Sequence, residues 1–438
     1  MILLTPTLVL LCMFYVVIAL LPLIGGIVNL AHGRGFLLNL SIACGFLALS
    51  IFGLQFINIL RVRLFSRPIG MLEAFKFHRY VGYAGAGFAV AHLFILLAID
   101  RKYWSLFDLA TTPTRAKLAI AATAALVVLI ASTVWRQQLR IPYRRWHILH
   151  WMLATMVFGF GLAHAILVNY YLQDKLEQLV WMSLGALFVL AAIWMRFVNP
   201  IIRVRQRWQV TGLTEAPKDV FELNLRAVGA GPGRFSGLQF LPGQFAWVVA
   251  GRSPFSISAN PFSIASSAER PENLRFIIRA NAGYTTALRT LRQGAHVYLD
   301  GPHGTFTPDA DASGPLILIG AGVGMTPLLS MIETLADRRS SRECVLILAA
   351  RSEQDMIGAD HVERLLERLP LTVHYHFSSR NDGRRLDQAT IRGWLPRDLA
   401  DAECFICGSA NFMDICEDAM QQAGMDRRRV RTERFSMV

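Results

Sequence analysis

The sequence predicts an α-helical membrane bundle of six spans, followed by a soluble β-barrel domain and an α/β domain with a parallel sheet. Three observations predict it. Apolar residues make up 53% of the 438 in the chain. They concentrate before position 200, in runs near the ~20 residues that a membrane helix needs. Two of those runs carry paired histidines at equal spacing. Beyond position 200, short strand-like runs with turn residues between them give way to apolar runs alternating with helical stretches. The boundaries drawn from this pattern are 1–200, 201–312 and 313–438.

The six spans fall at 3–24, 36–60, 75–99, 116–135, 147–170 and 177–198. The first lacks a basic flank and is too long for the apolar core of a signal peptide, so it reads as a retained span. Arg61, Arg63, Arg67, Lys76, Arg79, Arg136, Arg140, Arg144, Arg145, Arg196, Arg203, Arg205 and Arg207 share one side of the bundle. They outnumber Arg34, Arg101, Lys102, Arg115, Lys117 and Lys175 on the other. This bias places both termini and the soluble half in the cytoplasm and the bundle in the cell (inner) membrane. Topology and anionic cofactors account for the net charge of +13. With no nucleic-acid motif in the chain, membrane lipid is the expected surface partner.

The third span holds His78 and His92 and the fifth holds His150 and His164, each pair 14 residues apart. Over that interval a helix turns through ~1400°, within ~40° of whole turns, and rises ~21 Å. Each pair therefore lies near one face at two depths. An ionisable group at membrane depth is costly and marks a function with a partner. Two such helices offer two His–His clamps, the geometry that two stacked haems need, and two axial imidazoles saturate a haem iron. His147 competes with His150 but points ~100° away from the face of His164. His32 reads as an interfacial residue. Gly82, Ala84, Gly85, Ala86, Gly87, Ala89, Gly159 and Gly161 permit close approach of helices or of a flat macrocycle. Arg79, Arg144 and Arg145 serve either topology or pairing with haem propionates.

In the soluble half, strands are expected at Trp208–Leu213, Val220–Val228, Gln239–Val249, Phe262–Ala265, Leu274–Ala280 and His296–Leu299, a spacing that suits a small barrel. Asn260-Pro261-Phe262-Ser263 lies in strand-and-turn context. Gly283-Tyr284-Thr285-Thr286 opens a helical stretch, where backbone N–H groups cradle phosphate. From Pro315 a βαβ series begins. Gly320-Ala-Gly322-Val-Gly324-Met-Thr326-Pro327 follows a buried strand and opens a helix, the context that a pyrophosphate loop requires. Cys407-Gly408-Ser409 stands at the carboxyl end of another strand, where open α/β sheets bind ligands. Arg351 after one strand and Ser379-Arg380 after the next favour a 2′-phosphate over a ribose hydroxyl. Of the six cysteines, Cys404-x-x-Cys407 has no second pair and is not read as a zinc site.

Taken together these motifs resemble the NADPH oxidase / ferric reductase superfamily in a minimal prokaryotic form. The membrane half, with Trp146-x-x-x-His150, resembles its ferric-reductase-like transmembrane domain. The soluble half resembles a ferredoxin–NADP reductase module, to which Pro242-Gly243-Gln244-Phe245 and Gly301-Pro302-His303-Gly304 also conform. The motifs cover about 75–438. The resemblance implies two b-type haems, one on His78 and His150 and the other on His92 and His164. It implies FAD at Asn260, Pro261, Phe262 and Ser263, with Arg279, Gly283, Tyr284, Thr285 and Thr286. Asn260 stands where the family usually has His or Arg. NADPH is implied at Gly320, Gly322, Gly324, Thr326, Pro327, Arg351, Ser379, Arg380 and Gly408. Cys407 and Phe435 are the implied catalytic residues, Phe435 covering the flavin ring from the ending Glu433-Arg434-Phe435.

The expected function is transmembrane electron transfer from cytoplasmic NADPH through FAD and the two haems to a far-side acceptor. Dioxygen giving superoxide is the first expectation for that acceptor. A ferric or other metal chelate is the second, and a periplasmic partner or quinone the third. A haem-binding sensory module is the reading from another class, and the flavin and nucleotide motifs argue against it. With no EF-hand or recruitment tail, no obligatory activating protein is expected.

Overall fold

The computed structural model describes the chain except residues 1–5, 29–34, 59–70, 170–174, 206, 218, 229–236, 251–252, 254, 256–258, 281–282 and 434–438. His32, Arg34, Arg61, Arg63, Arg67, Arg434 and Phe435 therefore lie outside the described residues. The chain divides into two compact units, Met1–Val198 and Asn199–Val438.

Among its described residues the first unit contains six long helices: α1 (Pro6–Val28), α2 (Phe36–Asn58), α3 (Met71–Ile99), α4 (Thr114–Val134), α5 (Tyr143–Val168) and α6 (Lys175–Ile193). Pro113 and Pro142 immediately precede α4 and α5, where a fixed φ starts a helix without a lost hydrogen bond. Asn169 ends α5 in the left-handed conformation (φ 48°), a common stop. Among the described residues, five helices are long and apolar enough to cross a membrane, and α1 adds the shorter apolar stretch Cys12–Leu21. The third and fifth helices begin about a turn earlier than expected. Lys76 lies in the second turn of the third helix and Arg144 and Arg145 in the first turn of the fifth, and their long stems let the charge leave an apolar surface while the backbone stays helical. Phe94, Val127, Met182 and Leu190 are exposed on the bundle's outside, as lipid-facing side chains are.

α3 packs mainly on α2, and α5 mainly on α4. Gly85 makes the first contact possible, since a Cβ there would lie 2.9 Å from Ile51. Phe158, Trp181, Leu49 and Phe56 fill the space between α2, α5 and α6.

The second unit opens with the short helix α7 (Asn199–Arg205). Six antiparallel strands follow: β1 (Arg207–Ala216), β2 (Val220–Ala227), β3 (Phe245–Ala250), β4 (Asn260–Ser263), β5 (Asn273–Arg279) and β6 (His296–His303). Their order is β4-β3-β6-β1-β2-β5, and the single bridge Ile264–Phe276 links the two edges. The third expected strand loses its first half because Pro242-Gly243 turns the chain, with Gly243 at φ +91°. Alternation along β1 and β2 sends Trp208, Val210, Phe221, Leu223 and Leu225 into the core. Each such burial contributes roughly 1.5–3 kcal/mol. The helix that Gly283 opens is α8 (Tyr284–Arg289).

The remainder is a parallel sheet of β7 (Leu316–Ala321), β8 (Cys344–Ala350), β9 (Leu371–Phe377), β10 (Glu403–Cys407) and β11 (Val430–Glu433), with helices α9 (Met325–Asp337) and α10 (Ala410–Gln422). The order is β11-β10-β7-β8-β9, so the chain reverses direction across the sheet between β7 and β10. α9 joins the two sheets of this unit. Ser330 Oγ donates to Ser266 O at 2.8 Å, Ala268 N donates to Thr334 Oγ1 at 2.9 Å, and Glu333 pairs with Arg275. Cys404 and Cys407 are buried in different core clusters on the two faces of β10, an arrangement that cannot share one metal.

Candidate functional site

In the membrane unit, the rings of His78 and His150 face each other with centroids 6.3 Å apart. Two metal–nitrogen bonds of about 2 Å each, with the half-widths of two imidazoles, fill such a gap. His92 and His164 are close enough to interact electrostatically. His147 instead stacks on Tyr143, at 5.9 Å and 17°.

The hydrogen bonds determine which nitrogen carries the proton in three of the four rings. His164 Nδ1 donates to Arg115 O at 2.8 Å, since a carbonyl can only accept. Ser41 Oγ gives its own proton to His92 O at 2.8 Å. His92 Nδ1 therefore donates to Ser41 O at 2.7 Å and lies 3.1 Å from Ser41 Oγ. Thr133 Oγ1 gives its proton to Leu129 O and accepts from Trp146 Nε1 at 3.3 Å. It thus accepts from His150 Nδ1, also at 3.3 Å. Three histidines are held as the Nδ1–H tautomer, with the Nε2 lone pair left to bind metal, the usual outer-shell arrangement of a ligating imidazole. Among the described residues, His78 Nδ1 is buried without a partner. A Cβ at Gly87 or Gly159 would meet nothing within 4 Å, so both positions leave open space. Gly82, Gly85 and Gly161 serve helix packing, against Gln55, Ile51 and Leu49. Among the described residues no group of three or more His, Cys, Asp or Glu is placed to hold a metal ion. A bis-imidazole haem site needs only two, and these residues fit one.

In the second unit, antiparallel register sets Phe245 opposite Ser263 on one side and opposite His303 on the other. These three residues, together with Gly304 and Glu433, gather around one spot. A Cβ at Gly304 would lie 3.1 Å from Phe245 and 3.7 Å from Glu433 Oε1. Cys407 Sγ donates to Glu433 O at 3.5 Å. Among the described residues, Ser263 Oγ, His303 Nδ1 and Glu433 Oε2 are all buried without a partner. Such groups cost free energy unless something satisfies them, so the spot fits a polar-edged ring such as a flavin. Burial pushes the Cys407 thiol well above its ordinary range, and the neighbouring Glu433 adds to this. Cys407 is therefore a neutral thiol and not a nucleophilic thiolate.

Asn260, Pro261 and Phe262 line up along β4 against Val248, Trp247 and Ala246. Tyr284 is anchored rather than free: its hydroxyl donates to Val248 O and accepts from Ala250 N. Thr285 and Thr286 follow it in the first turn of α8. Arg279, at the end of β5, reaches the glycine loop, its Nη2 3.2 Å from where a Cβ on Gly322 would sit. Gly320 is the penultimate residue of β7, Gly322 takes φ +57°, and Gly324 lies against the Cys407–Gly408 backbone. Thr326 Oγ1 bonds Val323 O and Pro327 is buried in α9. The two loops flank the reversal between β7 and β10, where open sheets bind ligands. Ser379 N donates to Arg351 O, bringing together the ends of β8 and β9.

Two residues are added that sequence reasoning passed over. Glu433 is the one acid of its strand, and its burial has no sequence signature. Glu353 lies just past Arg351 and pairs with Arg380 at 2.8 Å, while Arg380 also covers Phe377 at 5.3 Å. Arg351, not an acid, directly follows β8, but Glu353 comes back to the loop through the ion pair. Arg380→Ala is expected to lower kcat/KM for NADPH about tenfold or more, the worth of one charge-assisted hydrogen bond, and to leave NADH unaffected. Steady-state kinetics with both nucleotides checks it.

Burial raises the Glu433 carboxyl to about 8. Unfolded, it titrates near 4.3, so between those values the folded chain holds a proton that the unfolded chain has lost. This contribution is complete below the unfolded value and disappears as pH rises through about 8. Glu433→Gln should therefore flatten the fall in melting temperature between pH 6 and 9 and gain on the wild type at the alkaline end. Parallel slopes in thermal melts would refute the assignment.

Residues 44–161 match the family described as "Ferric reductase like transmembrane component", and residues 318–418 match "Oxidoreductase NAD-binding domain". Among curated proteins, the reductase component of propane 2-monooxygenase from Rhodococcus jostii is 25% identical over 54% of this chain and 65% of its own. The ferredoxin reductase component of 3-ketosteroid-9-alpha-monooxygenase from Mycolicibacterium smegmatis is 30% identical over 46% and 57%. The chain thus spans well under the full length of these relatives. A solved flavohemoglobin from Malassezia yamatoensis aligns with 90% of this chain and 96% of its own, at 18% identity and a TM-score of 0.47.

Proposed function

We propose, for a chain that joins a ferric-reductase-like transmembrane component to an oxidoreductase NAD-binding domain in the arrangement of the NADPH oxidase / ferric reductase superfamily, that it carries electrons from NADPH across a membrane. The observation that carries this reading is the His78–His150 pair, 6.3 Å apart inside apolar helices, in the same chain as a nucleotide loop at a sheet's switch point.

Bound flavin would supply the conversion of a hydride into single electrons, and bound haem iron a one-electron carrier. The protein's residues bind and position. Gly320–Pro327 and Cys407-Gly408 receive the nucleotide's pyrophosphate and nicotinamide ends, and Arg351, Ser379 and Arg380 its 2′-phosphate. Ser263, His303 and Glu433 offer hydrogen-bonding atoms to the flavin edge, with Asn260, Arg279, Thr285 and Thr286 beside it. Glu433, protonated near neutral pH, can donate a hydrogen bond to the flavin edge. His78, His150, His92 and His164 hold two b-type haems at two depths. Phe435 covers the flavin. The loop arginines favour six spans in the cell membrane with the second unit in the cytoplasm.

Dioxygen, reduced to superoxide, is the acceptor of this reading, from the resemblance of the whole chain. The match to a ferric reductase component favours ferric chelate as the alternative. Membranes containing the protein should oxidise NADPH under air and reduce cytochrome c in a way that superoxide dismutase inhibits. Oxidation without superoxide, stimulated by Fe(III), selects the alternative. No NADPH oxidation refutes both.

A further inference from the structure

The two histidine pairs differ in what holds their outer nitrogens. In the His92–His164 pair both Nδ1–H groups donate to backbone carbonyls, at 2.7 and 2.8 Å. In the His78–His150 pair one Nδ1 faces a threonine hydroxyl at 3.3 Å and the other has no partner among the described residues. An imidazole that donates strongly from one nitrogen becomes a more basic ligand through the other. A more basic axial ligand favours oxidised iron and lowers its potential.

The contact to His92 comes from α2, a helix that carries none of the four histidines. Ser41 is fully buried. It accepts from Nδ1 through its carbonyl, presents its hydroxyl to the same nitrogen, and donates that hydroxyl's proton to His92 O. One turn further along α2, a Cβ on Gly45 would lie 3.1 Å from His92 Nδ1, so the missing side chain is what lets the helix approach the ring. Charge does not separate the two centres, because Arg144 and Arg145 lie in the first turn of α5 at the His150 end while Arg115 lies against His164 at the other.

We propose that Ser41 is the positioning residue of His92, and that through it the His92–His164 centre has the lower midpoint potential of the two. The proposal rests on the reading of the four histidines as haem ligands.

Anaerobic redox titration of the full-length, haem-loaded protein tests it through the haem absorption bands. Two one-electron components are expected. His92→Ala should abolish the lower-potential component and spare the higher. Ser41→Ala should keep two haems per chain and shift only the lower component upward, while Ser41→Thr, which restores the hydroxyl, should return it. A purely structural role would cost haem or stability without moving one potential. Loss of the higher component in His92→Ala overturns the proposal, whatever Ser41→Ala does. So does a Ser41→Ala curve that superimposes on the wild type. The ligand reading fails in a distinguishable way, by a His92→Ala protein that still holds both haems, and the proposal falls with it.

Discussion

Replacing His150 by alanine is expected to halve the haem content per chain and to stop NADPH-driven electron delivery to the far-side acceptor, while His147→Ala leaves both intact. The two residues are neighbours on α5, both aromatic in their contacts, and both within reach of Trp146. They differ in direction. His150 faces His78 at 6.3 Å and is held through Nδ1 by Thr133, leaving Nε2 toward that gap. His147 lies flat on Tyr143, where stacking occupies the ring face. Removing one of two axial ligands leaves the other imidazole unable to hold a saturated site by itself. With one centre gone, the remaining pair cannot bridge the bundle alone, so NADPH oxidation coupled to the far side should fall to background. Pyridine haemochrome assay and NADPH consumption in membranes measure the two effects. Haem loss in His147→Ala without loss in His150→Ala would reverse the ligand assignment.

Much of this geometry was legible in the chain because helical periodicity is strict. A separation of 14 residues returns a side chain to nearly the same face in any straight helix, so His78 with His92 and His150 with His164 could be paired before any packing was known. The same arithmetic preferred His150 to His147. The strand–loop–helix around Gly320–Gly324 was legible for a similar reason, since a buried strand is a short apolar run and the glycines punctuate it. What could not be read was contact between segments distant in sequence. Ser41 reaches His92 across two helices, and Arg115 lends a backbone carbonyl, which has no sequence signature. Glu433 becomes unusual only because burial removes its water. Glu353 meets Arg380 only because parallel strands bring the ends of β8 and β9 side by side. The six expected spans were drawn from hydropathy alone, which marks length but not where a helix starts. The prolines at 113 and 142 were a better guide to the starts of α4 and α5.

The three glycines of the nucleotide loop look equivalent in sequence, yet their alanine variants are expected to differ sharply, with Gly324→Ala the most damaging. Gly324 has an ordinary helical φ of −62°, so backbone conformation does not demand glycine there. Space does. A Cβ would lie 2.2 Å from Cys407 O and 2.5 Å from its carbonyl carbon, a clash with main chain and not with a flexible side chain. Cys407 cannot retreat, because β10 is paired with β7 on one side and β11 on the other. Gly324 cannot retreat either, because it opens α9, whose buried face holds the two sheets together. Overpacking against rigid surroundings costs about 1–3 kcal/mol and occasionally more. Here it also forces apart the two loops that flank the switch point. At Gly322 the objection is conformational: φ is +57°, which costs a residue with a Cβ about 1–2 kcal/mol, and its nearest neighbour is the movable end of Arg279. At Gly320 the contact is with Leu328 Cδ1 at 2.8 Å, which a rotamer change relieves. Gly324→Ala should therefore lose NADP binding, followed by flavin difference spectra, and melt at lower temperature than Gly322→Ala, with Gly320→Ala nearest the wild type. Equal nucleotide affinity in Gly324→Ala and the wild type would mean that the loops are free to separate, and that the third glycine serves the ligand and not the close approach of two strand ends.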